Sequence, residues 1–94
     1  MMDGMREIKA ILAKVEAGTT GAQDAERLAY WFNRLVQSLS DIVDRNCSRD
    51  TENETYLDSM ASVTYTEAIK LLVDLGMAEE ISRTGLTIIA RWKV

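Results

Sequence analysis

Apolar residues recur at helical spacing through the first half of the chain. The spacing predicts a first helix over residues 4–17, with Asp3 as its N-cap and Gly18 just past its end. It predicts a second, longer helix over residues 22–46. The apolar positions are Met5, Ile8, Leu12 and Val15 in the first helix, and Ala25, Leu28, Phe32, Leu35, Leu39 and Ile42 in the second. Because the linker between the helices is short, we expect them to run antiparallel.

A polar break divides the chain near its middle, over residues 47–53. Thr51 and Glu54 have the spacing of a capping box, in which a hydroxyl and a carboxylate satisfy the first free amides of a helix. This spacing predicts a short helix over residues 52–61.

The last third of the chain combines a helix signal with a strand signal. Thr64 and Glu67 form another capping-box pair and predict a helix over residues 65–75, and Gly76 stands where a left-handed residue ends a helix. Alternating apolar and polar residues then predict two β-strands. The predicted strands cover residues 78–82 and 86–92.

These patterns predict one mainly α domain of the α+β class. A helical hairpin with a long second helix occupies residues 1–47, and residues 52–94 form a second half that ends in a two-stranded β-hairpin. A chain of 94 residues has the length of a single domain.

The regular row of apolar residues on the second helix has two interpretations. It is the core-facing side of the helix within one subunit, or it is a coiled-coil-like seam between two subunits. Aromatic residues beside the row favour an interface. The predicted dimer interface consists of Tyr30, Trp31, Leu35, Leu39 and Ile42.

Charge narrows the classes of partner. The formal net charge is −4, which excludes a strongly basic nucleic-acid binder but leaves room for a local basic face. Residues 41–58 hold six acidic and two basic side chains, whereas the stretch from Ile81 onward is basic. The acidic stretch is a solvated helix end and loop, or a surface that mimics nucleic acid or docks on a basic partner.

The residue inventory argues against catalysis. The chain has no histidine, so it lacks the usual base of Ser–His and Cys–His pairs and the commonest zinc ligand. We therefore predict no catalytic residue, no metal site, no cofactor and no small-molecule substrate. Cys47 is the single cysteine, and no signal peptide or membrane-spanning stretch is visible, which predicts a cytoplasmic protein.

Residues 52–94 resemble a winged helix-turn-helix. Two short helices, a tight turn, a Leu-Gly step at Leu75-Gly76 and a terminal hairpin follow in the order of that module, whose first helix would come from the long second helix. The resemblance implies that a helix reads a DNA groove and that a hairpin forms a wing. The DNA contacts it implies are Tyr65, Thr66 and Lys70 on the helix, Arg83 and Thr84 on the wing, and Arg91 at a phosphate.

Two functions follow as expectations. The resemblance implies a small regulatory protein that binds DNA, as a dimeric transcription regulator. Glu67 and Asp74 share the exposed side of the predicted recognition helix with Lys70 and would repel DNA. The alternative is a protein-binding inhibitor or adaptor, for instance a phage-encoded acidic protein that blocks a host nucleic-acid-binding complex.

Overall fold

A computed structural model describes residues 3–93, and in this range the chain forms three helices and one four-stranded antiparallel sheet. The helices are α1 (Gly4–Ala17), α2 (Ala22–Cys47) and α3 (Val63–Asp74). The strands are β1 (Ser48–Asp50), β2 (Thr55–Asp58), β3 (Ala78–Thr84) and β4 (Thr87–Trp92), in the sheet order β1-β2-β4-β3. The chain divides into two compact units, Met1–Ser38 and Leu39–Val94, and α2 contributes residues to both.

The first unit is a helical hairpin, and the cap predictions for α1 are confirmed. The Asp3 carboxylate accepts the amide of Met5 at 3.1 Å. Gly18 adopts a left-handed φ of 71°, and its amide and that of Thr19 bond to carbonyls in the last turn of α1. Both ends of α1 are therefore determined by local sequence.

The second unit contains the main hydrophobic core. Its buried residues come from the last turns of α2, from α3 and from three strands: Val43, Cys47, Leu57, Ile69, Leu72, Ala78, Ile88 and Ala90. Ile88 and Ala90 alternate along β4 with the less buried Ile89 and Arg91, so one face of the sheet packs on the core. The predicted alternation along this strand is confirmed.

The predicted short helix over residues 52–61 is wrong, because this segment forms β2 and pairs with β1. Thr51 and Glu54, the predicted capping pair, instead close the β1–β2 turn. The Thr51 amide bonds to the Glu54 carbonyl at 2.8 Å, and the Thr51 hydroxyl accepts the Glu54 amide at 3.1 Å. A hydroxyl that accepts an amide three residues later serves a helix start and a tight turn equally well, so the spacing alone did not separate them.

The predicted fold class is therefore corrected. The chain is α+β as expected, but its sheet has four strands and not two. Between α2 and α3 the chain forms β1 and β2 and no helix. In addition, α3 begins at Val63, because the Ser62 hydroxyl accepts the Tyr65 amide at 3.2 Å and acts as the N-cap in place of Thr64. Gly76 has the predicted left-handed φ, 79°.

A strained turn connects β2 to α3. Met60 and Ala61 both have positive φ, 52° and 61°, which costs a residue with a Cβ about 1–2 kcal/mol. The turn is held by Ser59, whose Oγ accepts the Ile88 amide at 2.9 Å and lies 2.8 Å from Thr66 Oγ1. The hydroxyl pair thereby joins the turn, the start of α3 and β4.

Replacing Ala61 by glycine should stabilise the protein. Glycine adopts a positive φ without the steric cost, although its freer unfolded chain offsets part of the gain. We expect the free energy of unfolding to rise by about 0.5–1 kcal/mol and the midpoint to rise by a few degrees in thermal denaturation. The control is Ala68→Gly within α3, which should lower the midpoint. A fall in midpoint for Ala61→Gly would contradict the strained turn.

Candidate functional site

The residues predicted to read a DNA groove are only partly exposed. Thr66 is 9% exposed, and its hydroxyl bonds to Ser59 and to the carbonyl of Leu86. Tyr65 is half-buried against the core of the second unit. Thr84 ends β3, opposite Thr87 in the β3–β4 hairpin. The hydroxyl of Thr66 therefore serves the fold, and the exposed members of the predicted set are Arg83, Thr84 and Arg91.

Each of the three predicted DNA-binding cations forms an ion pair with a neighbouring carboxylate. Lys70 lies 3.4 Å from Glu67 on α3. Arg83 Nε donates to Glu80 at 2.8 Å on β3. The Arg91 guanidinium bonds to Glu79 across the strand pair and contacts Glu54, and these carboxylates raise the pKa of Arg91. A phosphate would have to displace a carboxylate at each position.

The five predicted dimer residues are divided between the two units and differ in exposure. Tyr30 and Leu35 are exposed on α2 in the first unit, but they lie about 140° apart around the helix axis. Trp31 lies between them in sequence and packs on α1. Leu39 packs against the core of the second unit, and Ile42 is exposed there. Of the five, Leu35 lies on the exposed apolar side of the α1–α2 hairpin.

Polar side chains form much of the contact between α1 and α2 in the hairpin. Arg27 forms a two-point ion pair with Glu7, with one N–O distance of 3.1 Å, and Lys14 lies 3.3 Å from Asp24. The bond to Arg27 lowers the pKa of Glu7. The bond from the backbone amide of Gly21 lowers the pKa of Asp24.

At the N-terminal end of α1, the Trp31 ring of α2 packs on Gly4. A Cβ at position 4 would lie 2.7 Å from the Trp31 ring, so only glycine allows the approach. Between the two ion pairs lies Ile11, the only buried hydrophobic side chain within residues 3–38. The helices are thus joined along one narrow line.

The apolar stripes of both helices lie beside this line. In α1 each stripe residue directly follows a contact residue, as Ile8 follows Glu7 and Leu12 follows Ile11. One residue is about a quarter turn, and α1 and α2 run antiparallel, so a step forward along either helix leads to the same side of the hairpin. This side, here called the hairpin apolar face, consists of Met5, Ile8, Leu12, Val15, Leu28, Phe32 and Leu35.

The hairpin apolar face is open to solvent. Leu12 is 48% exposed, Phe32 54% and Leu35 64%. Met5 and Val15 are exposed to a similar degree. Single exposed apolar residues are normal on protein surfaces, but several on one side of two adjacent helices make that side the candidate site.

An aromatic and arginine cluster lies on α2 outside the hairpin apolar face. The guanidinium of Arg27 lies 4.7 Å from the centre of the Tyr30 ring. That of Arg34 lies 5.6 Å from the same ring and 5.3 Å from the Trp31 ring, and it donates to the Tyr30 hydroxyl at 3.2 Å. These cation–π contacts order the side chains around the α1–α2 contact.

Sequence reasoning missed the α1 members of the exposed face. It grouped Met5, Leu12 and Val15 into one apolar stripe but did not place that stripe on an exposed side of α1. A usable signal was present, because Glu7 and Arg27 have complementary charges, as do Lys14 and Asp24. An antiparallel hairpin that pairs these charges must turn its apolar stripes sideways.

The acidic stretch 41–58 is largely engaged within the second unit. Asp44 accepts the Trp92 indole N–H at 3.1 Å, and Asp50 accepts the Thr55 hydroxyl at 2.7 Å. Asp58 accepts the Met60 amide at 2.8 Å. The stretch forms the end of α2, strands β1 and β2 and the turn between them, so the expected loop is a strand pair. Its role as a docking surface stays a prediction.

Neither a metal-binding group nor a membrane-spanning helix is found among the described residues. No group of three or more Cys, Asp or Glu side chains within residues 3–93 is arranged to hold a metal ion. The same residues include no helix that is both long and apolar enough to cross a bilayer. Cys47 is fully buried, and this burial raises the pKa of its thiol above the ordinary value of 9.0.

The Cys47 thiol should couple folding to alkaline pH. Its folded-state pKa is raised, so its contribution to stability is complete below about pH 8.5 and is lost as pH rises through the ordinary pKa towards the folded one. We expect the difference in free energy of unfolding between wild type and Cys47→Val to shift against the wild type above about pH 9. Urea denaturation from pH 7 upward measures it. Parallel stability curves for the two proteins would contradict the raised pKa.

Comparisons of the chain with protein families, with curated proteins and with solved structures found no match. The case for any function therefore rests on the geometry of the described residues.

Proposed function

We propose that the chain is a small, non-enzymatic protein-binding module and that the hairpin apolar face is its interaction surface. This proposal rests on the exposure of apolar side chains from both helices on one side of the hairpin, including Leu12, Phe32 and Leu35. The lone buried thiol of Cys47 is consistent with a reducing, cytoplasmic setting.

The hairpin leaves apolar side-chain surface in contact with water. Complete burial of a leucine or phenylalanine side chain contributes about 1.5–3 kcal/mol. Leu12, Phe32 and Leu35 are each about half exposed or more, so burial of the rest of their surface would contribute several kcal/mol. A partner that covers the face recovers this free energy, and the loss of its mobility on binding offsets part of the gain.

The structural frame favours a protein partner. The Glu7–Arg27 and Lys14–Asp24 ion pairs join the two helices along the edge of the face, and Trp31 closes the contact at Gly4. The exposed side chains therefore project from two helices already held together, which lowers the ordering cost of binding.

Site-specific photo-crosslinking tests the surface. A benzoylphenylalanine at Phe32 probes the face. One at Gln23, which is exposed on the opposite side of α2, is the matched control. We expect protein adducts from position 32 at several times the yield from position 23, in cells and with the purified protein. Equal yields at the two positions, or no protein adduct at position 32 in either setting, would overturn the proposal.

DNA binding through the second unit is the second candidate. Its support is that the ion-paired side chains of Arg83 and Arg91 remain 46% and 50% exposed, so carboxylate and phosphate can exchange. The paired carboxylates weaken the case, because their charge opposes DNA.

Fluorescence anisotropy with a labelled duplex at low salt separates the two candidates. DNA binding requires Lys70→Glu and Arg83→Glu each to weaken binding by about tenfold, whereas Arg6→Glu, the same charge change on α1, should matter less. If protein binding is the function, we expect little binding by any of the four proteins. Equal binding by all four would contradict a DNA site at Lys70 and Arg83.

A further inference from the structure

We infer that the occupant of the hairpin apolar face is a second copy of this chain, packed face to face about a two-fold axis as a four-helix bundle. In this arrangement α1 runs antiparallel to α1 of the second copy and α2 runs antiparallel to α2. The inference rests on the proposed function and adds the identity and orientation of the partner.

The hairpin lacks the helices that its apolar pattern requires. Stripes with 3-4 spacing suit the packing of helices at small crossing angles, as in coiled coils and four-helix bundles. Within residues 3–38 the hairpin buries the side chain of Ile11 and leaves Leu12 and Phe32 half exposed. A second copy supplies two helices with the same spacing and the same length. A surface that packs on itself is what two-fold symmetry provides.

The layers of the proposed interface follow from the stripe on α1. When α1 is reversed against itself, Met5 lies opposite Val15 of the second copy, and Ile8 lies opposite Leu12. Each layer then pairs two apolar side chains, and the 14 residues of α1 overlap along their length. A second copy therefore covers the α1 stripe from end to end.

The size of the face is compatible with a dimer of modest affinity. A helix of 14 residues is about 21 Å long, and two adjacent helices are about 20 Å wide. The flat area is thus about 400 Å² per copy, or about 800 Å² for the pair, before the relief of the side chains is counted, which is below the standard range of specific interfaces and fits a weak, reversible dimer. We expect a dissociation constant in the micromolar range.

Charge at the edge of the face selects the orientation. Lys9 and Glu16 follow Ile8 and Val15, so both lie on the side of α1 away from α2. Neither has an ion pair with any residue of the described range 3–93, and both are exposed. In the antiparallel pair they are about 7 Å apart along the axis, and because helix side chains lean towards the N-terminus, Lys9 leans towards Glu16 of the second copy. A parallel pair would place Lys9 next to Lys9.

Sedimentation equilibrium of the full chain, from about 2 to about 200 µM, tests for the dimer. We expect wild type to pass from monomer to dimer across this range. Leu12→Glu should raise the dissociation constant by more than about 100-fold, because the two-fold axis places the change at the interface twice. The matched control, Gln23→Glu on the other side of α2, should associate as wild type does. Circular dichroism checks that each variant keeps its helices.

A charge exchange at low salt tests the orientation. Lys9→Glu and Glu16→Lys should each raise the dissociation constant by about tenfold, since each places like charges together twice per dimer. The double variant Lys9→Glu, Glu16→Lys restores opposite charges and should associate within about twofold of wild type. Failure of the double variant to recover association would overturn the antiparallel α1 pairing.

The outcomes separate this inference from the proposed function. A wild-type protein that is monomeric over the whole range, yet crosslinks from position 32 to a different protein, overturns the second copy and keeps the protein-binding surface. A monomer without any adduct at position 32 overturns both. A dimer that Leu12→Glu leaves intact overturns the hairpin apolar face as its interface.

Discussion

The contact between α1 and α2 decides what the rest of the hairpin presents to solvent. It is formed by the Glu7–Arg27 and Lys14–Asp24 pairs, with Ile11 buried beside them, and it follows one edge of each apolar stripe. Had the stripes packed on each other, the two helices would have satisfied most of their own apolar surface. Because charges occupy the joint, the stripes turn to one side and remain accessible. The candidate site is a consequence of how the hairpin closes.

The elements of the hairpin were predictable from sequence, and so were α3 and the last two strands, because each has local signals. Asp3, Gly18 and Gly76 mark helix ends by chemistry that acts within a few residues. β1 and β2 were not predictable in this way. Thr51 and Glu54 have a spacing shared by helix caps and tight turns, and the pairing of Leu57 with Ala90 joins residues far apart in sequence. Only the sheet decides between the two outcomes.

The same limit applies to the candidate site. Which residues are apolar can be read from the sequence, but which of them face water depends on the rotation of each helix about its axis. Phe32 and Leu39 occupy equivalent stripe positions on α2, yet Phe32 is exposed in the first unit and Leu39 packs on the core of the second. Likewise, the sequence placed Glu67 beside Lys70, but it did not identify the carboxylate partners of Arg83 and Arg91.

The two units also differ in what holds them together. The second unit buries a cluster of apolar side chains from helices and sheet, whereas the first buries Ile11 and otherwise relies on half-exposed ion pairs and the Trp31–Gly4 contact. Ion pairs that remain accessible to solvent contribute about 1 kcal/mol each, so the interactions within the hairpin stabilise it only modestly. Covering its apolar face would therefore stabilise the hairpin and bind a partner in one step, and the order of α1 would depend on the concentration of that partner.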